Sequence, residues 1–274
     1  MLKKLLKYDF LSILRFLIPL LLFTPVLAGL AGLLYWLTSL TGPRQILLTL
    51  GLMSMSGFAI LALVLSAAVL PIMLIIRYYS GLYSDAGYLT LMLPVKRWKL
   101  IFSKMICAFL CELAHITVLF FSVVFVFGAF VNASNPFRGY VMVFVGIKDF
   151  LAALSGQTAL LLVEIILYVL VWIVLQFSIL YLGVTLGAVI FQGKGKVWGS
   201  VLFCFVTNSA VQTVLSLVEL AISGGIIGIL SVEALENGFP TQFFLLIEIL
   251  MRIGISIGLY FFNVRLAEKK LNLG

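Results

Sequence analysis

The chain has 274 residues, of which 64% are hydrophobic and only 10% are charged, and its mean hydropathy is +1.25. Soluble domains have about 45–50% apolar and about 25% charged residues, so this composition excludes an ordinary soluble enzyme and leaves no room for a soluble catalytic domain. The formal net charge of +8 does not indicate nucleic-acid binding, because most Lys and Arg lie in short stretches between long apolar runs.

Six of these apolar runs are long enough to cross a bilayer, which takes about 20 residues for a hydrocarbon core of about 30 Å. They predict an all-α membrane protein that forms one transmembrane domain over residues 1–274. The spans are predicted at residues 16–40, 46–76, 105–131, 158–191, 197–229 and 243–264.

The N-terminal segment, MLKKLLKYDFLSILR, combines leucines at helical spacing with lysines just before the first span. This pattern predicts an amphipathic helix over residues 1–15 that lies in the cytoplasmic interface. A basic flank that only sets the topology has a similar composition, and the pattern does not separate the two. A cleavable signal peptide is not expected, because the apolar run at 16–40 is longer than the about 7–15 residues of a signal sequence.

The basic residues predict that both termini are cytoplasmic. With that orientation, fourteen of the 18 Lys and Arg lie inside and three lie outside, which is a strong positive-inside bias. The inside residues are Lys3, Lys4, Lys7, Arg15, Arg77, Lys96, Arg97, Lys99, Lys104, Lys194, Lys196, Arg265, Lys269 and Lys270. The outside residues are Arg44, Arg138 and Lys148, and Arg252 lies within a span.

A polar segment, LYSDAGYLTLMLPVKRW, interrupts the apolar pattern at residues 82–98. Ser84 or Asp85 can cap a short helix, and Pro94 marks the end of that helix. The basic residues that follow suit the anionic inner leaflet. The segment therefore predicts either a short, rigid cytosolic helix that can transmit force to a docked protein or an ordinary tight inner loop.

The longer stretch LYSDAGYLTLMLPVKRWKLIFSKMICAFL resembles the loop after the second span in short bacterial permease subunits of ABC-2 type ABC transporters. The family pattern is an acidic residue, Gly-Tyr-Leu-Thr, Leu-Pro-Val or Leu-Pro-Ile, a basic or polar turn, and Ser-Lys at the start of the next span. Here these elements are Asp85, Gly87–Thr90, Leu93–Val95, Lys96–Lys99 and Ser103–Lys104. The sequence departs from the family at Ala86, where Glu is more usual, and the six-span layout extends the similarity to the whole chain.

The resemblance implies that this loop contains a coupling helix, which docks in a groove on a separate ATP-binding subunit. The implied docking residues are Leu82, Tyr83, Ser84, Asp85, Gly87, Tyr88, Leu89 and Thr90, with Tyr83, Asp85 and Tyr88 as the favoured contacts. It also implies two copies of an ABC ATPase subunit and a second permease copy, in a homodimer or in a heterodimer with a sister permease. The implied location is the plasma membrane of a bacterium, in contact with membrane lipid.

The chain itself is not expected to bind ATP. Its nearest approach to a P-loop is GAVIFQGKGK, which has one residue too many between its glycines and has Gly195 where Ser or Thr holds magnesium. No cofactor, metal or catalytic residue is therefore predicted in this chain, and ATP and Mg²⁺ are expected in the partner ATPase.

Two predicted outer segments are unusual. Residues 132–157 are polar at both ends and apolar in the middle, which is typical of an interfacial outer helix. Residues 219–240 contain Gly224, Gly225 and Gly228, which weaken a straight helix. This second segment is predicted to form a partly re-entrant hairpin, because broken backbone is tolerated at membrane depth where protein covers it.

Ionisable groups within spans cost about 2.5–3.5 kcal/mol each at the centre of the bilayer and are candidates for function. They are Glu112, His115, Glu164, Glu219, Glu248 and Arg252. Glu248 and Arg252 are four residues apart and can pair along one helix face. The predicted topology puts these two with Glu164 and Glu219 in the outer half. They are expected to form either a gate that lines an exit or a buried network that fixes helix register.

Other residues of these spans have simpler interpretations. Glu112 and His115 do not form a zincin motif, which needs two histidines, and Glu112 can reach water near the cytoplasmic end. The three cysteines, which have no metal spacing, are expected to be small buried core residues. They are Cys107, Cys111 and Cys204. The pairs Gly183/Gly187 and Gly254/Gly258 permit close helix contacts, within one chain or between copies.

These observations predict the permease subunit of an ATP-driven exporter that works by alternating access and performs no covalent chemistry. An amphipathic or hydrophobic cargo is expected, with a peptide favoured over a lipid or a drug. The alternatives are a passive channel or membrane scaffold without a motor and, with less support, an intramembrane enzyme.

Overall fold

The computed structural model describes residues 2–41, 45–84, 87, 95–132, 135–153, 156–191, 195–229 and 239–270. Over these residues the chain is all-helical, with seven helices and no strand. The helices are α1 (Leu2–Leu40), α2 (Ile46–Leu82), α3 (Arg97–Val131), α4 (Pro136–Ala152), α5 (Gly156–Ile190), α6 (Lys196–Ile229) and α7 (Phe239–Lys270).

All the helices except α4 are long and apolar enough to cross a membrane, which indicates a multi-pass membrane protein. The prediction of an all-α fold with six candidate spans is confirmed, and one predicted span falls on each long helix. The shorter α4 lies in the predicted outer segment. Its first turn contains Pro136, and the side chain of Asn135 caps it by accepting a hydrogen bond from the backbone N–H of Arg138.

Two helices are continuous at places where the sequence suggested a change of structure. Helix α1 continues from Leu2 to Leu40 without a break, so the predicted interfacial segment and the first span form one helix. Helix α6 continues through its cluster of three glycines to Ile229, so these glycines do not end the helix. Residues 230–238 of the predicted hairpin lie outside the described residues, and the hairpin stays a prediction.

The chain divides into two compact units. One contains Lys7–Leu74 and Leu110–Leu154. Three of the five buried residues in its core are alanines, which let the helices approach closely. The five are Ala28 and Ala31 of α1, Ala59 and Leu63 of α2, and Val126 of α3.

The other unit contains Met1–Leu6, Ile75–Phe109 and Ser155–Gly274. Within it α5 packs against both α6 and α7. Leu175 and Ile179 of α5 and Leu215 of α6 form the core, and residues of α7 such as Ile255 pack against them. This unit also contains the end of α2 and the start of α3, which flank the predicted coupling loop.

Helices α5 and α6 meet backbone to backbone. A Cβ at Gly183 would lie 2.7 Å from the Cα of Cys204, and a Cβ at Gly187 would lie 2.4 Å from the Cα of Ser200. Only glycine fits at these two positions. At Gly254 and Gly258 of α7 no atom of the described chain comes within 4 Å of such a Cβ, so only the first glycine pair packs within the described structure.

The interpretation of the cysteines as buried core residues is confirmed. Cys107 and Cys111 are fully buried, Cys204 is 8% exposed, and all three are free thiols.

Candidate functional site

Two groups of polar side chains lie in the unit that contains α5, α6 and α7. The first, which we call the hydroxyl network, consists of Tyr78, Tyr83, Thr185 and Asn263. It joins the end of α2 to α5 and α7. All four side chains are buried, and Thr185 is completely inaccessible.

Hydrogen bonds link all four members of the hydroxyl network. Tyr83 Oη donates to Thr185 Oγ1 at 2.9 Å, and the Thr185 hydroxyl donates to Asn263 Oδ1 at 2.6 Å. Asn263 Nδ2 donates to Tyr78 Oη at 3.3 Å, and the Tyr78 ring stacks on Tyr181 with centroids 3.9 Å apart. The network is therefore neutral and its side-chain groups satisfy one another, as buried polar groups must.

Tyr83, one of the implied docking contacts, lies within the described residues. Burial raises its pKa well above the usual range for tyrosine, so the phenol stays protonated and serves as a hydrogen-bond donor. Tyr83 and Leu82 are both buried within this unit. Four further implied docking residues lie outside the described residues: Asp85, Tyr88, Leu89 and Thr90.

After α2 the chain turns back on itself. The backbone N–H of Gly87 donates to the carbonyl oxygen of Ser84 at 2.8 Å. A Cβ at Gly87 would lie 2.5 Å from the carbonyl carbon of Leu82, so a larger residue does not fit without a backbone shift. The glycine of the interrupting segment is thus explained by a close backbone approach.

The far end of the same loop is bonded to α7. The guanidinium of Arg97 donates to the carbonyl oxygens of Ala267 and Glu268, the second at 3.1 Å. Tyr260 Oη donates to the carbonyl oxygen of Trp98 at 2.9 Å. A cation at the C-terminal end of a helix is favourable, because the last carbonyls have no partner in the helix. Both ends of the loop are therefore bonded to helices of this unit.

The second group, which we call the arginine cluster, consists of Glu219, Glu248 and Arg252 with Tyr168. Arg252 Nη2 donates to Glu219 Oε1 at 2.7 Å and to Glu248 Oε1 at 2.6 Å, and Nε donates to Glu248 at 3.0 Å. The guanidinium carbon lies 4.9 Å from the centroid of the Tyr168 ring. The cluster thus joins α5, α6 and α7, and the predicted pairing of Glu248 with Arg252 is confirmed.

Not every polar atom in or near the arginine cluster has a hydrogen-bond partner among the described residues. The Arg252 side chain is only 6% exposed, yet its Nη1 has no hydrogen-bond partner among the described residues. Glu164 lies one turn from Tyr168 on α5, is 9% exposed, and has an unpartnered Oε2. Three of the four residues that were expected together are directly bonded, and Glu164 is not bonded to them.

A cleft of about 330 Å³ opens beside the arginine cluster. Its polar lining is Glu219, Glu248 and Ser216, and the rest of its wall is apolar. The apolar lining residues are Leu220, Phe244, Ile247 and Met251. The two carboxylate side chains are 35% and 23% exposed, whereas Arg252 is buried behind them. The cleft therefore presents negative charge on an apolar wall.

Glu112 and His115 belong to the other unit. Both are buried on α3, and Glu112 Oε2 and both ring nitrogens of His115 have no partner among the described residues. Nowhere among the described residues do three His, Cys, Asp or Glu side chains lie together in a way that could hold a metal ion.

The hydroxyl network was not predicted from the sequence. Its members come from positions far apart in the chain, and each is an ordinary polar residue at the edge of a span. The only available signal was that Asn263 and Thr185 are uncharged polar residues in otherwise apolar runs.

Comparison of the chain with family models, with curated proteins and with solved structures found no match. The resemblance to ABC-2 permeases therefore depends on the loop segment and on the six-span layout.

Proposed function

We propose that this chain is the membrane-spanning permease subunit of an ATP-driven exporter. A separate ABC ATPase, expected in two copies, supplies the energy, and this subunit carries the pathway. The loop resemblance and the six candidate spans support this proposal.

One structural observation carries the proposal further. The two ends of the loop, at Tyr83 and at Arg97, are hydrogen-bonded to α5 and α7. The same two helices contribute Tyr168 and Arg252 to the arginine cluster. Along α7 the rise of about 1.5 Å per residue separates Asn263 from Arg252 by about 16 Å. A displacement of the loop is therefore passed to the helices that carry the charged groups.

The proposed cycle follows from the predicted orientation, with both termini in the cytoplasm. The loop docks on the ATPase, closure of the ATPase on ATP moves the loop, and α5 and α7 shift. Ion pairs of the arginine cluster then separate and open the outer half. The N-terminal part of α1 lies in the cytoplasmic interface, and residues 219–240 form a partly re-entrant segment.

The proposed assembly lies in the plasma membrane of a bacterium and contains a second permease, identical or a sister chain. Gly254 and Gly258 support this, because close packing at an exposed glycine pair is available to another copy. The proposed cargo is amphipathic or hydrophobic, and a peptide is favoured.

Co-purification tests the proposal. The tagged chain is expected to retain an ATPase subunit when it is purified from its native membrane, and the double substitution Asp85→Ala with Tyr88→Ala is expected to release it. Arg138→Ala is the matched control, because it changes an exposed polar residue on the predicted outer side. Thr185→Val provides a second comparison: it is expected to keep the ATPase bound but to uncouple ATP hydrolysis from transport.

The rival functions give different results in the same experiment. A passive channel would purify without an ATPase, and its transport would not depend on ATP. An intramembrane enzyme would cleave a substrate and lose that activity when Glu112 and His115 are replaced.

A further inference from the structure

We infer that the cleft between α6 and α7 binds an amphipathic organic cation, with the ammonium or guanidinium group at Glu219 and Glu248 and an apolar body against Phe244 and Met251. This inference goes beyond the proposed function, because such binding is a property of the chain alone and needs neither ATP nor an ATPase.

Charge balance is the first argument. Glu219 and Glu248 share one guanidinium, and both of their Oε1 atoms accept from the same nitrogen of Arg252. With both carboxylates ionised, the cluster would therefore have one negative charge that Arg252 does not neutralise. Both residues lie on candidate membrane spans, where an uncompensated charge is costly. A bound cation would remove this cost.

Glu164 supplies an independent observation. It is 9% exposed, its Oε2 has no partner among the described residues, and it lies on the same face of α5 as Tyr168, whose ring contacts Arg252. A third buried carboxylate thus lies one helical turn from Tyr168 of the arginine cluster, and among the described residues no basic side chain is bonded to it. Four ionisable residues then include only one cation.

The shape of the cleft selects the kind of cation. Its volume is about 330 Å³, and Leu220, Phe244, Ile247 and Met251 form most of its wall. An inorganic cation requires several oxygen ligands around it, whereas this wall is apolar. An ammonium or guanidinium group on an apolar body fits both surfaces, and the ring of Phe244 can add a cation–π contact.

An anionic ligand does not fit the same cleft. Arg252 is the one basic residue of the cluster, its side chain is 6% exposed, and two of its nitrogens are already bonded to the carboxylates. A negatively charged group in the cleft would meet Glu219 and Glu248 first. Like charges in close contact repel strongly in a medium of low dielectric constant.

Two probes of nearly the same size and opposite charge test the inference. The purified full chain is placed in nanodiscs of phosphatidylcholine, and the binding of tetraphenylphosphonium and of tetraphenylborate is measured by equilibrium dialysis without nucleotide. Glu219→Gln and Glu248→Gln are the test variants, and each keeps one ion pair with Arg252. Glu112→Gln is the matched control, since it neutralises a buried carboxylate of the other unit.

Saturable binding of tetraphenylphosphonium to the wild-type chain is expected. Each test variant should weaken this binding about tenfold or more, because a partly desolvated charge pair is lost, and Glu112→Gln should not. Phe244→Ala should also weaken it, without any change in charge. The inference is overturned if tetraphenylborate saturates the same site, or if Glu219→Gln and Glu248→Gln leave phosphonium binding unchanged because a shared proton neutralises the cluster. An absent ATPase partner would refute the proposed function and leave this result intact.

Discussion

The hydroxyl network and the arginine cluster share helices α5 and α7 and are built in opposite ways. The network is neutral, and its buried side-chain groups donate to and accept from one another. The cluster is charged and has one cation for two bonded carboxylates, and Arg252 Nη1 has no hydrogen-bond partner among the described residues. A neutral network in which every group has a hydrogen-bond partner favours one arrangement of its side chains. A charged cluster with an unpartnered atom can form other hydrogen bonds and ion pairs. We therefore expect the network to transmit movement and the cluster to rearrange.

The largest effect is expected from Arg252→Met, which leaves the carboxylates of the cluster without their cation. Removing one partner of a buried ion pair costs about 3–5 kcal/mol, and the free energy of unfolding in detergent measures this loss. Arg138→Met is the control, because its side chain is exposed. Combining Arg252→Met with Glu219→Gln and Glu248→Gln should restore part of the stability; if it does not, the loss comes from packing and not from charge.

The second-largest effect is expected from Thr185→Val, which disrupts the hydroxyl network. The substitution keeps the shape of the side chain but removes the hydroxyl that links Tyr83 to Asn263. Unsatisfied buried groups cost about 1–3 kcal/mol, and the midpoint of thermal unfolding should fall accordingly. Thr213→Val is the matched control: Thr213 is exposed and bonds only to the backbone of its own helix. Equal effects of the two changes would contradict the network.

Gly187→Ala tests the packing on which both groups depend. The added methyl group would overlap the backbone of Ser200, and overpacking of this kind costs about 1–3 kcal/mol. Gly254→Ala meets open space and should be neutral or should stabilise the helix by up to about 1 kcal/mol. Opposite signs in the two free energies of unfolding would confirm that α5 and α6 pack through their backbones. A matching loss in both would show that the exposed glycine pair is covered by another copy.

The smallest effect is expected from Tyr260→Phe, which removes the hydrogen bond to the carbonyl oxygen of Trp98. This bond is partly exposed, so its loss should cost about 0.5–1.5 kcal/mol. Hydrogen exchange of the backbone near Trp98 is the measurement. Tyr8→Phe is the control, because the side chain of Tyr8 on α1 is exposed. Unchanged exchange would mean that Arg97 alone holds this end of the loop.

The sequence predicted the features that depend on neighbouring residues. Long apolar runs gave the six spans, and the spacing of four gave the pair of Glu248 with Arg252. It could not predict that Glu219 shares the same guanidinium, because that contact depends on how α6 and α7 pack. Tyr83 shows the same limit. The resemblance implied a docking role for it, which stays a prediction, whereas its hydrogen bond to Thr185 could not be predicted, because no local pattern connects the two residues.

The backbone contact at Gly183 and Gly187 has a mechanical consequence for the neighbouring helices. Helices α5 and α6 cannot slide past each other without a clash, so they move as one body, while α7 is joined to α5 through side chains that can change rotamer. Movement at the arginine cluster is therefore expected along the seam between α7 and the α5–α6 pair. At that seam Arg252 would part from Glu219 and keep Glu248, which travels on its own helix.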